Sequence, residues 1–548
     1  MSGPAGSPPR WPLTLLTGPL LLLTPFLIFV RHNGYGLLRP ESLACLSGLA
    51  GVGLALGALM ALGGWRVQVA VSAALVTLFV DVQTKWFAGW GVPLAATFGA
   101  ALAAAWLLRR DLSSLAVLVL GSMLVVTLLT PAATEPDMAD SGASTAAGRA
   151  DLPLVLHIVL DQQIGIEGIP REFDPEGRLA RSLEEFYLSR GFELFGKAYT
   201  RYHNTVPSLA HLVNFSDEMG VRTFVAWDWD RIPVTRNAYF EEMTRRGYTL
   251  HVYQSSYMNF CRSAGQIAIG SCHTYDSARM RSIEELSLSV PEKVRLIAAM
   301  YTRRSFLLSQ VQEAYQRLRA RGGEWAAALP AWDSPWVGGS ISGMAALDRL
   351  RQDLARAGPG AMFFAHILLP HGPFAFDASC TLRPSARSWL LEADPLVRPR
   401  SNTPESRALR YPLYLDQVSC VHRKLGELLA SIPSDRLRDA LVIVHGDHGS
   451  RIGLAPPLEI LDHDLRPPDY VDAFSTIFAV KRPGAPARYD ERLLPLEVLL
   501  AMAIGRTDAL PDQAPPPPPR VYLSRGLIHY VPRPMPDFLD GAAVVPRP

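Results

Sequence analysis

Carboxylates and imidazoles follow three apolar, strand-like runs of this chain. Asp161 ends the first (HIVLDQQIG), His366 and His371 lie at the end of the second (AHILLPHGPF), and His445-Gly446-Asp447-His448-Gly449 closes the third (VIVHGDHGSRIG). Oxygen and nitrogen ligands gathered from such distant positions are what a divalent metal site requires. Singly, an aspartate after a strand is more often a turn or helix cap, and a histidine more often a hydrogen-bonded core residue. The Asp447-His448 pair between two glycines is more specific, because glycine lets the backbone turn and bring both side chains to one point.

A nucleophile is the other requirement. The segment YTRYHNTVPSLAHLVNF, residues 199–215, offers Thr200, Thr205 and Ser208. Thr205 or Ser208 would serve equally as the N-cap of a helix starting near Pro207. The two roles are compatible. A hydroxyl at a helix N-terminus sits where backbone N–H groups and the helix dipole favour an anion such as a phosphoryl group.

Positioning these residues calls for an α/β domain. Residues 154–160 form a mainly apolar, β-branched run of the kind found in buried parallel strands. Residues 249–254, 362–368 and 440–444 read as further core strands, with helices over 179–190, 305–321 and 345–357 and a late strand at 521–523. Such alternation predicts a mostly parallel sheet, whose active site lies beyond the carboxyl ends of its strands. The near balance of 53 basic and 51 acidic residues gives no reason to expect a nucleic-acid partner.

The first quarter is of a different kind. Apolar stretches at 12–30, 42–64, 69–87, 92–108 and 114–130 each approach the roughly 20 residues needed to cross a ~30 Å hydrocarbon core. Asp81 and Lys85 interrupt the end of the third, and Trp86 and Trp90 suit an interfacial belt. A cleaved signal peptide would not account for the four spans behind the first. The adjacent Arg109-Arg110 pair favours its side as cytoplasmic, and an odd number of spans then places the rest of the chain outside. The expected organisation is a five-helix transmembrane domain over 1–131, a small, polar linker over 132–150, and an extracytoplasmic catalytic domain over 151–548. Four of the five cysteines, Cys261, Cys272, Cys380 and Cys420, lie in that exported part, an even count that suits an oxidising compartment. Cys261 and Cys272 are close enough to close a short loop, leaving Cys380 with Cys420, although four cysteines allow three pairings.

Asp161, the Thr205-Val206-Pro207-Ser208 turn, Pro370-His371-Gly372-Pro373 and Gly446-Asp447-His448-Gly449 occur in the order, and at roughly the separations, of sulfatase-like hydrolases and transferases of the alkaline phosphatase superfamily. Their place behind five apolar spans resembles the lipoteichoic acid synthases and lipid A phosphoethanolamine transferases. The resemblance implies an alkaline-phosphatase-like α/β/α fold and one divalent cation (Mn, Zn, Mg or Ca) held by Asp161, Thr205, Asp447 and His448. It makes Thr205 the nucleophile and His371 a catalytic, phosphate-holding residue, with His445 as a second substrate-side imidazole. The first metal carboxylate, usually Glu in the two transferase families, is Asp161 here, and His463 is the one candidate for their additional zinc-site histidines. Arylsulfatases carry Cys-x-Pro-Ser-Arg; aligning Pro207 and Ser208 puts Thr205 at the cysteine and Leu209 at the arginine. Threonine cannot yield formylglycine, so the resemblance points to a phospho-threonine intermediate and to a membrane lipid or envelope glycan as substrate, on the outer side of the cytoplasmic membrane. Hydrolysis with water as acceptor and a non-catalytic membrane sensor are the alternatives. A transporter is disfavoured, since Asp81 is the only acidic residue inside the spans.

Overall fold

A strand with parallel neighbours on both sides has no solvated face, so its residues must be apolar throughout. The run Val155–Leu160 meets this condition with one exception, His157, and is buried along its whole length. In this computed structural model the described residues are 11–84, 91–130, 138–141, 148–216, 232–262, 267, 269–275, 281–284, 286–321, 325, 339–385, 389, 402–506, 519–525 and 529–536. By packing, the chain divides into a first unit (Met1–Glu135, Ala278–Val337 and Pro384–Leu390) and a second (Pro136–Ser277, Gly338–Arg383 and Leu391–Pro548).

The first unit contains five apolar helices: α1 (Trp11–His32), α2 (Pro40–Leu62), α3 (Gly64–Thr84), α4 (Gly91–Leu107) and α5 (Leu112–Leu129). All but α4 are long and apolar enough to cross a membrane. Lys85, Trp86 and Trp90 lie outside the described residues. In place of a side chain at Gly57, the backbone of Leu15 approaches so closely that a Cβ would come within 2.2 Å of its carbonyl oxygen; small residues permit this close contact between α1 and α2. Residues 278–337, which the sequence assigns to the catalytic domain, pack instead in this unit. The reason is polar. The buried Asp81 carboxylate of α3 accepts from Ser305 Oγ (2.6 Å) and from the backbone N–H of Leu307 (2.9 Å). It thereby caps helix α9 (Phe306–Arg321), while Tyr301 at the end of α8 (Val290–Arg303) packs edge-on to Phe26 of α1, 5.3 Å between ring centroids.

The second unit is built on a nine-stranded sheet: β1 (Met138–Ser141), β2 (Val155–Leu160), β3 (Glu193–Phe195), β4 (Thr249–Ser255), β5 (Ile269–Tyr275), β6 (Ala361–Ile367), β7 (Leu441–Gly446), β8 (Phe478–Lys481) and β9 (Arg488–Asp490). Their spatial order is β1-β5-β4-β6-β2-β7-β8-β3-β9. The central run from β5 to β7 is parallel, with antiparallel pairs at β1–β5, β7–β8 and β8–β3. Within the stretch read as a linker, Met138–Ser141 thus forms an edge strand. Among the helices of this unit are α6 (Arg178–Leu188), α7 (Thr205–Leu212), α10 (Gly339–Leu354), α11 (Pro404–Ala430), α12 (Pro467–Phe474) and α13 (Leu496–Ala503). One core cluster joins Ile443 and Phe364 of the sheet to Leu209 of α7 and Leu500 of α13. A late hairpin, Arg520–Ser524 (β10) with Tyr530–Pro534 (β11), is stacked on Tyr202 through Tyr522. Disulfides join Cys261 to Cys272 and Cys380 to Cys420.

Candidate active site

The register of β6, β2 and β7 pairs Leu160 with Ile367 and with Gly446, so the residues that follow these three strands emerge together at one sheet edge. Asp161, Asp447 and His448 are all buried there, with one potential ligand atom of each lying within 4.8 Å of the others. The turn after β2 is sharp: Gln162 adopts a left-handed φ of 64°. Its N–H donates to Asp447 Oδ1 (2.9 Å), which also accepts from the backbone N–H of His448 (2.8 Å). That leaves Asp447 Oδ2 buried without a partner, and Asp161 Oδ1 is in the same state.

Both of those oxygens face one nitrogen. His448 Nε2 lies 3.3 Å from Asp447 Oδ2 and 3.9 Å from Asp161 Oδ1. Its Nδ1 lies 2.9 Å from the Gly449 carbonyl and has to donate to it, so the neutral ring turns the Nε2 lone pair toward the carboxylates. Two unpartnered carboxylate oxygens and an imidazole lone pair at such separations fit the donor set of a divalent cation with ligand distances of about 2.0–2.2 Å. The electrostatics agree. Burial, with the charge of Asp161 beside it, pushes the Asp447 carboxyl up to about 7. Burial opposes ionisation of Asp161 as well, but His371, His366 and His448 together hold it well below the usual carboxylate range. Burial also depresses His448, to about 4, which leaves it neutral for ligation.

Thr205, the first residue of α7, is buried against this group. Its Oγ lies 3.4 Å from Asp161 Oδ2 and 3.2 Å from His448 Nε2. Pro207 in the first helical turn costs nothing, because N–H groups there have no intrahelical acceptor. The other two hydroxyls are engaged structurally. Ser208 donates to the Asp447 carbonyl (2.6 Å), tying α7 to the turn after β7, and Thr200 lies 2.8 Å from Ser208 while donating to the Tyr202 carbonyl (3.1 Å).

His371 is half-buried, with Nδ1 donating to the Gly372 carbonyl (2.5 Å). Burial lowers its basicity and the charge of Asp161 partly restores it. His445, the expected second substrate-side imidazole, points elsewhere. Alternation along β7 places it on the face of Ile443, where Nε2 meets His157 Nε2 at 2.7 Å and the ring stacks on Phe478. It is a satisfied core residue: Nδ1 donates to the Gly446 carbonyl, so Nε2 accepts from His157, whose Nδ1 accepts in turn from Tyr239. His463 is exposed and paired with Asp464.

Two further histidines are close: His366, read from the sequence as a strand-end imidazole but given no role, and His203, which the sequence reading passed over. His366, fully buried, lies 3.3 Å from Asp161 Oδ2 and leaves Nδ1 without a partner. His203 is buried two residues before Thr205, also with an unpartnered Nδ1, and burial depresses its pKa well below the usual range. His203 stands two residues before Thr205 in the sequence, but nothing in the spacing distinguishes it from a core histidine.

Comparison with protein-family models and with curated proteins finds no match for the chain. Solved structures similar to it include a phosphonate monoester hydrolase of Agrobacterium radiobacter, at 14% identity over 68% of this chain and 80% of that one, with a TM-score of 0.38. A putative sulfatase from Bacteroides fragilis matches at 13% identity over 68% and 77%, with a TM-score of 0.36. A protein in the alkaline phosphatase superfamily from Vibrio parahaemolyticus matches at 12% identity over 68% and 71%, with a TM-score of 0.33. These are likenesses of fold; the chemistry rests on this chain's own side chains.

Proposed function

We propose that this chain is a membrane-anchored, metal-dependent enzyme acting on phosphoric or sulfuric esters, with Thr205 as nucleophile and phosphoryl transfer or hydrolysis as its reaction. The observation that carries the reading is the pair of buried, unpartnered oxygens, Asp161 Oδ1 and Asp447 Oδ2, facing His448 Nε2 beside the Thr205 hydroxyl. A divalent cation held by Asp161, Asp447, His448 and Thr205 would lower the hydroxyl's pKa and offset charge on the ester oxygens.

The side chains divide the remaining work. Thr205 Oγ loses its proton, with Asp161 Oδ2 the carboxylate oxygen in reach at 3.4 Å, and forms a bond to phosphorus in line with the departing oxygen. The ester bond breaks, and the departing oxygen takes up the proton that Thr205 gave up, leaving as the alcohol. His371, neutral at physiological pH and with Nδ1 committed to Gly372, has Nε2 as its basic nitrogen, suited to carry a proton from the incoming hydroxyl. Water or an acceptor alcohol then displaces Thr205 from phosphorus. Threonine in place of an oxidisable cysteine favours phosphoryl over sulfuryl chemistry. The apolar helices support confinement near a membrane, where a lipid or envelope glycan would be the substrate, and the two disulfides support an oxidising compartment outside the cytoplasm.

The test is the full-length protein in detergent, loaded with Mn²⁺ or Zn²⁺ and offered aryl phosphodiester, phosphomonoester and sulfate esters, then membrane lipid extract. Turnover of a phosphoric ester, a mass increment mapped to Thr205, and loss of both in Thr205→Ala are expected. Metal binding with no turnover of any ester would overturn the reading in favour of a sensor.

A further inference from the structure

A helix that packs one side on its own chain ordinarily turns charged and polar residues outward on the other. Helix α9 (Phe306–Arg321) does not follow this rule. Gln312 is buried, whereas Val311 is 54% exposed, Leu318 50% exposed and Ala314 exposed as well. Their spacing of three and four residues aligns them in one apolar stripe. Arg317 and Glu313, paired at 2.6 Å, lie off that stripe. Past the helix, Trp325 is 65% exposed.

The place where α9 begins indicates what covers the stripe. Asp81, whose carboxylate caps α9, stands within one turn of the end of α3 at Thr84. Tyr301 of α8 packs on Phe26 and Phe29, each at 5.3 Å between centroids, in the last two turns of α1. Glu284 pairs with Arg39, the residue before α2. Arg31, near the end of α1, donates to the Leu128 carbonyl at the end of α5 (3.1 Å). The ends of α1, α3 and α5 and the start of α2 thus share one side, as alternating membrane spans require, and residues 284–307 are fastened to that side. Apolar surface is bare at the same ends, where Leu38 is 86% exposed and Leu129 78% exposed.

Helix α9 therefore starts at the boundary of the spans. Its 16 residues make about 24 Å, short of a ~30 Å hydrocarbon core. Gln310, Gln312, Glu313 and Gln316 make it too polar to enter that core. It carries Arg317, Arg319 and Arg321 against one acidic residue, Glu313. An apolar stripe on a polar helix with a basic excess is the pattern of helices that lie in the headgroup region of anionic bilayers, and tryptophan favours the same depth.

Building on the membrane-anchored reading above, we propose that α9 is an interfacial helix whose Val311–Ala314–Leu318 stripe is seated in a lipid surface, on the side where α1, α3 and α5 end. The partner of residues 278–337 is then the bilayer itself. Residues 136–277 of the second unit are accordingly bounded at both ends by membrane-held segments.

The experiment places single nitroxide labels in the full-length protein, in a Cys45→Ser background so that the two disulfides leave no other thiol. The labelled variants are Val311→Cys, Ala314→Cys, Leu318→Cys, Gln316→Cys and, as a reference in α5, Leu118→Cys, which replaces a side chain 65% exposed. Gln316 lies about 140° round the helix from Val311. Each is reconstituted in nanodiscs of phosphatidylethanolamine and phosphatidylglycerol. Power-saturation electron paramagnetic resonance then compares collision with oxygen, which concentrates in lipid, and with a water-soluble nickel chelate. Labels at 311, 314 and 318 are expected to favour oxygen over nickel, at a depth of about 5–10 Å, with the label at 316 losing that preference. Nickel access at 311 and 318 equal to that of a water-exposed label overturns the proposal. Shielding of both labels from both reagents does so too, since protein, such as a second copy of this chain, would then cover the stripe. If the Leu118 label reports lipid while 311 and 318 do not, the interfacial helix fails and the membrane-anchored reading stands; if Leu118 also reports water, both fail.

Discussion

Asp447 Oδ1 accepts from two backbone N–H groups, and this fixes the direction of Oδ2. The arrangement has a pH consequence. With its carboxyl pushed up to about 7 by burial and by Asp161, Asp447 holds a proton in the metal-free protein at lower pH. A cation must expel that proton to bind. Its affinity should therefore fall by about tenfold per pH unit below 7 and level off above it. Stability without metal should run the other way. A carboxyl raised from its ordinary 3.8 binds more protons folded than unfolded, so the metal-free protein loses stability as pH rises from about 4 to 7. Calorimetric titration with Mn²⁺ at pH 6 and 8, and melting curves with and without metal, test both signs; a pH-independent affinity would contradict the assignment. At this scale the sequence was informative about residue types. Asp161, Thr205, Asp447 and His448 lie together, as the order of motifs led one to expect. Side-chain direction was less legible: His445 adjoins the ligand turn yet serves the core, because strand alternation, and not proximity in sequence, decides the face.

At the scale of elements, the turn Gly446–Gly449 shows a similar limit. From sequence, the glycines promise conformational freedom, but the left-handed residues here are Gln162 and Arg451. Gly449 is needed for room. A Cβ on it would lie 2.0 Å from the Asp472 carbonyl oxygen and 3.0 Å from that of Ser475, backbone atoms that cannot swing aside. Gly449→Ala should force the turn off α12, carrying His448 with it. The expected result is a loss of about 1–3 kcal/mol of stability, typical of overpacking, and at least about tenfold weaker metal binding. A variant with wild-type melting and metal affinity would show that α12 can shift. The core strands β2, β6 and β7 were readable because burial on both faces leaves a continuous apolar run. Met138–Ser141 was not: an edge strand in a small, polar segment has neither apolar runs nor alternation to betray it.

For the whole molecule, the division into units has an experimental consequence that a reading along the chain missed. Residues 278–337 interrupt the second unit in sequence but pack with α1, α2 and α3, because Asp81 needs donors that only a distant segment supplies. Leu296 and Ile297 of α8 are fully buried in the first unit, and each aliphatic side chain so covered contributes about 1.5–3 kcal/mol. A fragment beginning near residue 136, the natural choice for a soluble catalytic domain, would carry α8 and α9 without the helices that cover them. It should aggregate or require detergent, with α8 and α9 cut early in limited proteolysis. Replacing residues 278–337 of that fragment by a Gly/Ser linker should restore monodisperse elution in aqueous buffer and a cooperative melt. In the full-length protein, Asp81→Ala should expose the same helices to protease while leaving the disulfide-linked second unit intact, since Cys261–Cys272 and Cys380–Cys420 both lie within it. A fragment 136–548 that is monodisperse without detergent and protease-resistant across residues 290–321 would refute the division and restore the boundary near residue 131 as the single break in the chain.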